Sequence, residues 1–397
     1  MSSSTTWEDV RLGDFGQSLI GLTYSPDNVK RSGTLVLRSS NIQNGQLALE
    51  DNVYVDSPIP QKIRVRNGDI LICVRNGSRR LIGKCVLLDD RVVGQTFGAF
   101  MAVYRSDVNP FLQYVFQSHD FKRQIDEHLG ATINQITNAS LNSFVVSLPD
   151  ADEQRAIVAK LQDEDRLIAS LERLIAKKQA IGLGIKQQLL TGRTRLSGFH
   201  VPWRSCKLED LLVPRVERYD GFSRLEVLTC SKHRGFLRSL DYFKNQVFSR
   251  DLSGYKVIRL GDIGYPANHV EEGSIGVQES YDAALVSPIY VVMQPLGEAD
   301  TFFLQRQLKL DYYRQEFSRV TNSSVDRRGS LRWREFSQIE VNVPEYEEQR
   351  AISVVLRSSE MELDALHQRL RKARDIKTGM MQQLLSGRTR LTLEDVT

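Results

Sequence analysis

The residues of this chain that could do chemistry lie in short clusters of basic and amide side chains between apolar runs. The stretch from Arg75 to Lys84 holds four bases and no acid. The stretch from Arg38 to Asn44 carries amide donors and acceptors directly after an apolar run. Arginine and lysine suit contacts with phosphate groups, and arginine, asparagine and glutamine can hydrogen-bond the edges of bases. These clusters favour contacts with nucleic acid, while a solvated basic loop and a plain asparagine-rich turn stay open as alternative interpretations.

Comparable clusters occur in the second half of the chain. The stretches 231–235 and 327–334 are rich in basic side chains, and 133–138 takes the place of 327–334 in the first half. Glycine, asparagine and serine surround these clusters, which is typical of loops. The candidate nucleic-acid contacts in all of these stretches are Arg38, Ser40, Asn41, Arg75, Asn76, Arg79, Arg80, Lys84, Asn134, Gln135, Lys232, His233, Arg234, Arg327, Arg328, Arg332 and Arg334.

Sequence motifs of catalysis are missing. The chain has no GxGxxG after a strand, no Walker loop, no HExxH and no Asn-Pro-Pro-Tyr motif. The stretch from Gly77 to Lys84 resembles a phosphate-binding loop, but it is one residue too long, and Cys85 stands where serine or threonine is required. The four cysteines show no paired spacing, so we expect reduced core thiols and no zinc site. The sequence therefore predicts a binding protein rather than an enzyme.

Bulk charge adds no support for a nucleic-acid partner. The net charge is +4, but residues 1–150 hold 15 bases and 15 acids, and residues 197–345 hold 20 of each. Any argument for nucleic acid must therefore rest on the local clusters. The N-terminus lacks the basic and apolar regions of a signal peptide, and no apolar run approaches the length of a membrane span. We expect a cytoplasmic protein without a membrane partner.

An internal repeat reveals the elements that must position the clusters. The stretch 153–196 returns as 348–391, at an offset of 195, with 19 identities over 44 positions. Both copies begin with Glu-Gln-Arg-Ala-Ile and end with Gln-Gln-Leu-Leu-(Thr/Ser)-Gly-Arg-Thr-Arg-Leu. Because there are only two copies, the repeat indicates a duplicated unit and not a solenoid.

Each copy predicts a long helix with an apolar seam. Apolar residues recur at the spacing of a coiled coil, and Gly192 or Gly387 stands just past the last seam position, where a helix commonly ends. Roughly 40 residues at about 1.5 Å each make a rod of about 60 Å. The seam residues that we expect to form the coiled coil and to serve partner binding are Ile157, Leu161, Ile168, Leu171, Ile175, Leu189, Ile352, Leu356, Leu363, Leu366, Leu370 and Leu384.

The charge pattern of the two helices predicts that they pair in antiparallel fashion. Residues 151–172 carry six acids and three bases, whereas 173–196 carry six bases and no acid. The second copy has five acids and two bases in 346–367, then seven bases and one acid in 368–391. An antiparallel pair sets each acidic half against a basic half. Two solvated helix faces that never meet are the alternative.

The segments before the two helices are predicted to share one plan of strands and loops. The stretch 259–263, Arg-Leu-Gly-Asp-Ile, matches Arg-Asn-Gly-Asp-Ile at an offset of 193, whereas the loops differ almost completely. We therefore predict two similar mixed α/β (α+β) modules that recognise two different things. The predicted strands of the first module are 34–38, 69–74, 97–104 and 144–148, and its predicted helix is 110–129.

Two variable modules that alternate with two near-identical helices resemble the DNA specificity subunit of type I restriction–modification systems. The resemblance covers the whole chain, and it is carried by the opening and closing motifs of the helices and by Arg-Asn-Gly-Asp-Ile-Leu at 66–71. The domains that it implies are target recognition domains at 1–150 and 197–345, spacer helices at 151–196 and 346–391, and a tail at 392–397.

The resemblance also implies a function and partners. Each module would read one half of a split target in double-stranded DNA, and two methyltransferase subunits and the restriction/translocase subunits would join the assembly. The chain would have no activity and no cofactor of its own, because S-adenosylmethionine, ATP and Mg would belong to the partner subunits. A non-enzymatic coiled-coil adaptor whose two modules bind proteins is the alternative.

Overall fold

A computed structural model of the chain describes residues 7–129, 134–268, 270–323 and 330–392. The chain divides into two compact units: unit 1 is Met1–Glu172 with Gln368–Thr397, and unit 2 is Arg173–His367. Each unit therefore combines a strand-rich segment with part of both long helices. The finer predicted division at residues 150, 196, 345 and 391 stays a prediction.

Unit 1 consists of short strands and helices that lead into the first long helix. Its strands are β1 (Glu8–Arg11), β2 (Gln17–Ile20), β3 (Val29–Lys30), β4 (Thr34–Leu37), β5 (Ile42–Gln43), β6 (Gln46–Leu47), β7 (Tyr54–Val55), β8 (Ile70–Cys73), β9 (Cys85–Leu87), β10 (Thr96–Phe97), β11 (Met101–Arg105) and β12 (Val145–Leu148). Its helices are α1 (Leu12–Phe15), α2 (Asn109–Gln117), α3 (His119–Leu129), α4 (Asn138–Ser143) and α5 (Ala151–Leu190), the last of which continues into unit 2.

The sheets of unit 1 place the ends of its strand-rich segment side by side. Strand β1 pairs antiparallel with β12, so that Glu8 lies opposite Leu148. The largest antiparallel sheet has the order β2-β11-β8-β9, and a second sheet has the order β10-β4-β7-β3. Residues Ile157 and Leu161 of α5 are buried in the same core as Phe121 of α3. The start of the long helix is thus part of the core of unit 1.

Two predicted elements of this unit are interrupted in the structure. The predicted helix 110–129 is two helices, because Ser118 leaves the helical conformation and its hydroxyl accepts a hydrogen bond from Phe121 N at 3.2 Å. The predicted strand 97–104 breaks at 98–100, where Met101 N donates to Gly98 O at 2.8 Å and closes a turn. The second break moves Phe100 out of the sheet, and its side chain is 56% exposed.

Unit 2 has a comparable set of elements and leads into the second long helix. Its strands are β13 (Arg204–Lys207), β14 (Leu212–Pro214), β15 (Leu228–Ser231), β16 (Gly235–Arg238), β17 (Lys256–Arg259), β18 (Ile263–Pro266), β19 (Gly276–Val277), β20 (Ala283–Val286), β21 (Tyr290–Pro295) and β22 (Glu340–Val343). Its helices are α6 (Ser239–Phe243), α7 (Thr301–Leu308), α8 (Asp311–Ser323), α9 (Trp333–Phe336) and α10 (Tyr346–Leu384), the last of which continues into unit 1.

The main sheet of unit 2 repeats that of unit 1. Its order is β14-β21-β18-β19, and the β13–β22 pair corresponds to β1–β12. Asp69 and Asp262 are both buried, and each accepts a 2.8 Å bond from the backbone N–H three residues earlier. Each also pairs with an arginine, Arg105 at 2.7 Å and Arg215 at 2.5 Å. The shared aspartate confirms the match at offset 193, although Arg105 ends β11 and Arg215 follows β14.

The long helices α5 and α10 pack together in antiparallel fashion, as their charges predict. In unit 1, Asp165 pairs with Lys377 and Glu172 with Arg374, each at 2.6 Å. Residue numbers therefore rise along one helix as they fall along the other. In unit 2, Lys178 of α5 pairs with Glu362 of α10 at 2.7 Å. Acidic residues of one helix thus face basic residues of the other.

The apolar seam of both helices is largely buried. The helices contain 40 and 39 residues, and Gly192 and Gly387 follow their ends with a left-handed φ of +68°. Leu363 is the partly exposed member of the predicted seam. The buried members are Ile157, Leu161, Ile168, Leu171, Ile175, Leu189, Ile352, Leu356, Leu366, Leu370 and Leu384.

In each unit, a buried glutamate connects a tryptophan of the strand-rich segment with an arginine that follows the end of a long helix. In unit 1, the carboxylate of Glu153 accepts hydrogen bonds from Trp7 Nε1 at 3.1 Å and from Arg390 Nε at 2.7 Å. In unit 2, Glu348 accepts from Trp203 Nε1 at 3.3 Å and from Arg195 at 2.6 Å. These hydrogen bonds join the opening motif of one copy of the repeat to the closing motif of the other copy, which explains why both motifs occur in each copy. No helix in the described part of the chain is both long and apolar enough to cross a membrane.

Candidate nucleic-acid interface

Three of the predicted clusters of unit 1 meet where strand β8 ends. Val74 and Arg75 both donate their backbone N–H to Phe100 O, at 3.0 and 3.1 Å. On the other side Val74 O accepts from Ile136 N at 2.8 Å, and Arg75 forms an isolated antiparallel bridge with Gln135. We call Arg75, Phe100 and Gln135 edge 1, because these three residues lie side by side at the end of the strand.

Edge 1 presents an aromatic ring with a guanidinium group above it. The Arg75 Cζ atom lies 5.1 Å from the centroid of the exposed Phe100 ring. Arg75 is exposed, and no carboxylate among the described residues pairs with it. The ring holds the flat guanidinium by a cation–π contact and leaves its donors open to a ligand. Such a group can hydrogen-bond both acceptors of a guanine edge.

Ser39 joins the loop after β4 to the loop after β8. Its hydroxyl accepts from Asn76 Nδ2 at 3.4 Å, and its carbonyl accepts from Lys84 Nζ at 3.4 Å. Asn76 Oδ1 in turn accepts from Ser78 N at 2.9 Å and closes the turn. The predicted stretches 38–44 and 75–84 are therefore neighbours, although 30 residues lie between them in sequence.

The side chain of Asn41 stabilises the loop to which it belongs. This is the plain asparagine-rich turn that the sequence left open as an alternative. Asn41 is fully buried, its Oδ1 accepts from Arg38 N at 2.9 Å, and its Nδ2 donates to Ala48 O at 2.9 Å. Arg38 pairs with Asp51 at 3.0 Å. Ser40 Oγ is buried and has no hydrogen-bond partner among the described residues. In this conformation the amide of Asn41 is not open to a ligand.

The other basic residues of the 75–84 loop point to different neighbours. Arg79 donates to Asp126 O at 2.8 Å and thus turns towards α3. Arg80 is exposed and forms no ion pair among the described residues. Asn134 is exposed beside edge 1. Arg80 and Asn134 are therefore better placed for a ligand than Arg79, and the roles of all three stay predictions.

Unit 2 has an edge equivalent to edge 1. Ala267 N donates to Ile289 O at 3.2 Å, and Ala267 O accepts from Leu331 N at 2.8 Å, as Val74 does in unit 1. The residues that correspond to edge 1 are Asn268, Ile289 and Ser330, which we call edge 2. The backbone bonds also support the predicted equivalence of 133–138 and 327–334, although Arg327 and Arg328 lie outside the described residues.

A cleft of about 750 Å³ lies at edge 2, and basic side chains line it. They include Arg218, Lys256 and Arg332, and none of the described residues that line the cleft is acidic. Trp333 adds an aromatic ring. Burial, and then the nearby Arg218, lower the pKa of Lys256, whose ammonium donates to Tyr290 O. The cleft therefore suits a ligand that is anionic and also has flat apolar faces, as nucleic acid does.

The hairpin between β15 and β16 carries the other predicted cluster of unit 2, the stretch 231–235. Ser231 Oγ accepts from the backbone N–H groups of His233 and Arg234, both at 3.3 Å. This turn leaves the side chains of Lys232, His233 and Arg234 exposed. Arg334, on α9, is also exposed. The structure thus places these predicted contacts on the surface.

The buried cysteines are unreactive thiols. Burial raises the pKa of Cys85 and of Cys230 to about 12, and it also raises that of Cys73. These three residues are buried, as predicted for core thiols. Among the described residues, no three His, Cys, Asp or Glu side chains come together in a way that could hold a metal ion.

Sequence reasoning missed several residues of both edges. The sequence predicts Phe100 in a strand, and Asn268 and Ile289 of edge 2 give no signal of their own. Arg218 and Lys256, which line the cleft at edge 2, are missed as well. The glycine at position 98, two residues before Phe100, is the signal that could have indicated the break in the strand.

Comparisons with known proteins find similarity to specificity subunits of type I restriction enzymes. Residues 4–179 match the model of the "Type I restriction modification DNA specificity domain". The chain is 27% identical over 195 residues to the type I restriction enzyme StySPI specificity subunit of Salmonella potsdam, a match that covers 45% of this chain and 41% of the relative. It is 28% identical over 170 residues to the EcoKI specificity subunit of Escherichia coli K12, covering 41% and 36%. These matches thus span well under half of each relative.

Solved structures share the fold over nearly the whole chain. The S subunit of a type I restriction–modification system from M. genitalium matches with a TM-score of 0.57 at 14% identity, over 97% of both chains. The HsdS subunit from Thermoanaerobacter tengcongensis matches with a TM-score of 0.50 at 17% identity, over 98% of both chains. At this level of identity the structural likeness supports the fold alone.

Proposed function

Because residues 4–179 match the model of the type I restriction modification DNA specificity domain, we propose that this chain is a specificity subunit. In this proposal it binds a DNA target in two parts, one read by unit 1 and the other by unit 2. The observation that supports this most strongly is the pair of equivalent edges. Two backbone hydrogen bonds that carry them, at Val74 and at Ala267, are the same in both units, while the side chains differ at all three positions. A common scaffold with different contact residues suits two modules that read different sequences.

The edges contain side chains that suit contacts with base edges. In edge 1, the guanidinium of Arg75 matches a guanine edge, and the amide of Gln135 matches an adenine edge. In edge 2, the amide of Asn268 offers the same pairing with adenine. Phe100 and Ile289 suit apolar contact with a thymine methyl group. The basic residues around each edge would hold the phosphates and fix the register of the protein on the duplex.

The paired helices would dock partner subunits. We expect unread base pairs between the two halves of a bipartite target. The similar halves of the helix pair offer two similar docking surfaces, so we expect two methyltransferase subunits, with restriction/translocase subunits joining them. In this proposal the chain itself supplies no catalytic group. S-adenosylmethionine, ATP and Mg act in the partner subunits.

The methylation motif in a host that carries this chain with its partner subunits tests the proposal. Long-read sequencing of modified adenine should give one motif with two specified blocks and an unspecified gap. A single continuous block would contradict the two-part target. Binding of duplex DNA by the assembled complex should weaken steeply with salt, because phosphate contacts release counterions. An adaptor that binds only proteins would show no such binding.

A further inference from the structure

A second cavity of unit 2, about 170 Å³ in volume, lies behind the β15–β16 hairpin. The hairpin, the region after β19 and the end of α7 enclose it. Its basic lining residues are His233, Arg234, Arg306 and Lys309. Among the described residues Glu279 is the acidic residue of the lining, and it forms an ion pair with Arg357. We call this cavity the α7 pocket.

Arg306 enters the α7 pocket with an unused donor. Its terminal nitrogen pairs with Glu360 at 2.6 Å, and its Cζ atom lies 4.5 Å from the centroid of the Phe302 ring. Its Nε atom is buried and has no hydrogen-bond partner among the described residues. A buried donor without an acceptor is unfavourable, and an anion that supplied one would be stabilised there.

Lys309 shows that positive charge exceeds negative charge in this region. Its ammonium donates to Lys232 O at 3.1 Å. Burial, with smaller contributions from the nearby Arg306 and Lys186, lowers its pKa to about 8, and Cys230 and Glu360 act in the opposite direction. Burial, and then Arg306, also lower the pKa of Lys186. A bound anion would relieve the repulsion among these cations.

We propose that the α7 pocket binds a phosphate group of the DNA backbone. The proposal rests on the proposed function, because the pocket opens beside the hairpin that carries Lys232 and His233, both predicted DNA contacts. Arg306 offers a planar donor, Lys309 a rotatable ammonium and Arg234 a third cation, which suits tetrahedral phosphate oxygens. The pocket would thereby fix the register of unit 2 on the duplex without reading a base.

The salt dependence of duplex binding by the assembled complex measures this contact. Lys309→Gln should reduce the magnitude of the slope of log Kobs against the logarithm of the salt concentration by about 1. This change should be equal for all DNA sequences. Lys309→Arg keeps the charge and should retain the slope. Lys244→Gln removes an exposed lysine of the same unit and serves as the matched control. If the wild-type complex binds DNA and Lys309→Gln leaves the slope unchanged, the proposed phosphate contact in the α7 pocket is wrong. Absence of salt-dependent binding by the wild-type complex would overturn the proposed function itself.

Competitive acetylation at pH 8, read by mass spectrometry, gives a second test that needs no variant. Lys309 should be modified readily without DNA, because its low pKa leaves much of it neutral, and duplex DNA should protect it several-fold while Lys244 stays reactive. If DNA protects Lys309 and millimolar inorganic phosphate alone also protects it, this result supports the pocket as well. Protection by inorganic phosphate but not by DNA would indicate a free-anion site. Protection by the partner subunits without DNA would indicate an acidic protein surface. Either of these last two results overturns the proposal.

Discussion

Leu171→Asp tests whether the buried helix seam holds the protein together. Leu171 is 5% exposed in the seam of α5, whereas Leu174, one turn further along the same helix, is 39% exposed. The substitution removes a buried apolar side chain, which costs about 2–3 kcal/mol, and it adds the cost of a carboxylate in an apolar seam. We expect a total loss of about 3–5 kcal/mol in the free energy of unfolding.

Thermal unfolding of the full chain measures this loss. A domain of about 200 residues loses roughly 2–4 °C in Tm for each kcal/mol, so the first transition should fall by about 6–20 °C. Leu174→Asp adds the same charge at an exposed position and should shift it by only a degree or two. The chain has two units, so the comparison concerns the first transition and not a two-state free energy.

The same pair of variants links the seam to assembly. We expect Leu171→Asp to reduce the amount of complex formed with methyltransferase subunits, as measured by light scattering, while Leu174→Asp retains it. The reasoning would be refuted if both variants melted within about 2 °C of each other. Unchanged assembly of a destabilised Leu171→Asp variant would separate the coiled coil from partner docking.

Three further predictions concern target reading and connectivity. Exchanging residues 1–150 for the same module of a relative should change one half of the methylation motif; a change in both halves or neither contradicts modular reading. Phe100→Ala should relax the motif at one position, at a cost of about 1–3 kcal/mol in duplex binding. Asn41→Ala should instead lower the Tm of the chain, because the substitution leaves buried hydrogen-bonding groups unpaired, and it should leave the motif intact. A circular permutant that joins the chain ends by a short linker and opens near Gly198 should keep its motif, because Glu153 holds residues near both ends; a folded permutant with a different motif would defeat this connectivity.

The repeat and its charges determined the helical part of this protein. Heptad spacing depends on local geometry, so the sequence predicted two helices of roughly 40 residues with Gly192 and Gly387 just past their seams. The structure has helices of 40 and 39 residues, each followed by one of these glycines. The division of each helix into an acidic and a basic half also predicted antiparallel pairing. Pairs such as Asp165 with Lys377 confirm it.

The sequence also located the loop clusters, but it could not assign roles within them. Asn41 and Arg75 belong to similar clusters, yet one is buried in its own turn and the other is exposed above a ring. Hydrogen-bond partners decide this difference. The partners of Asn41 include Ala48 and Asn52, which no local pattern connects to it.

Only the tertiary structure decided which residues form the two edges. Phe100 became exposed because a turn at 98–100 breaks a run that looks like a single strand. Edge 1 joins residues near positions 75, 100 and 135, which meet because backbone hydrogen bonds to Val74 and Arg75 bring distant segments to the end of one strand. Periodicity and charge are local properties that a sequence displays directly. The meeting of distant loops depends on strand pairing and core packing, and these exist only once the chain has folded.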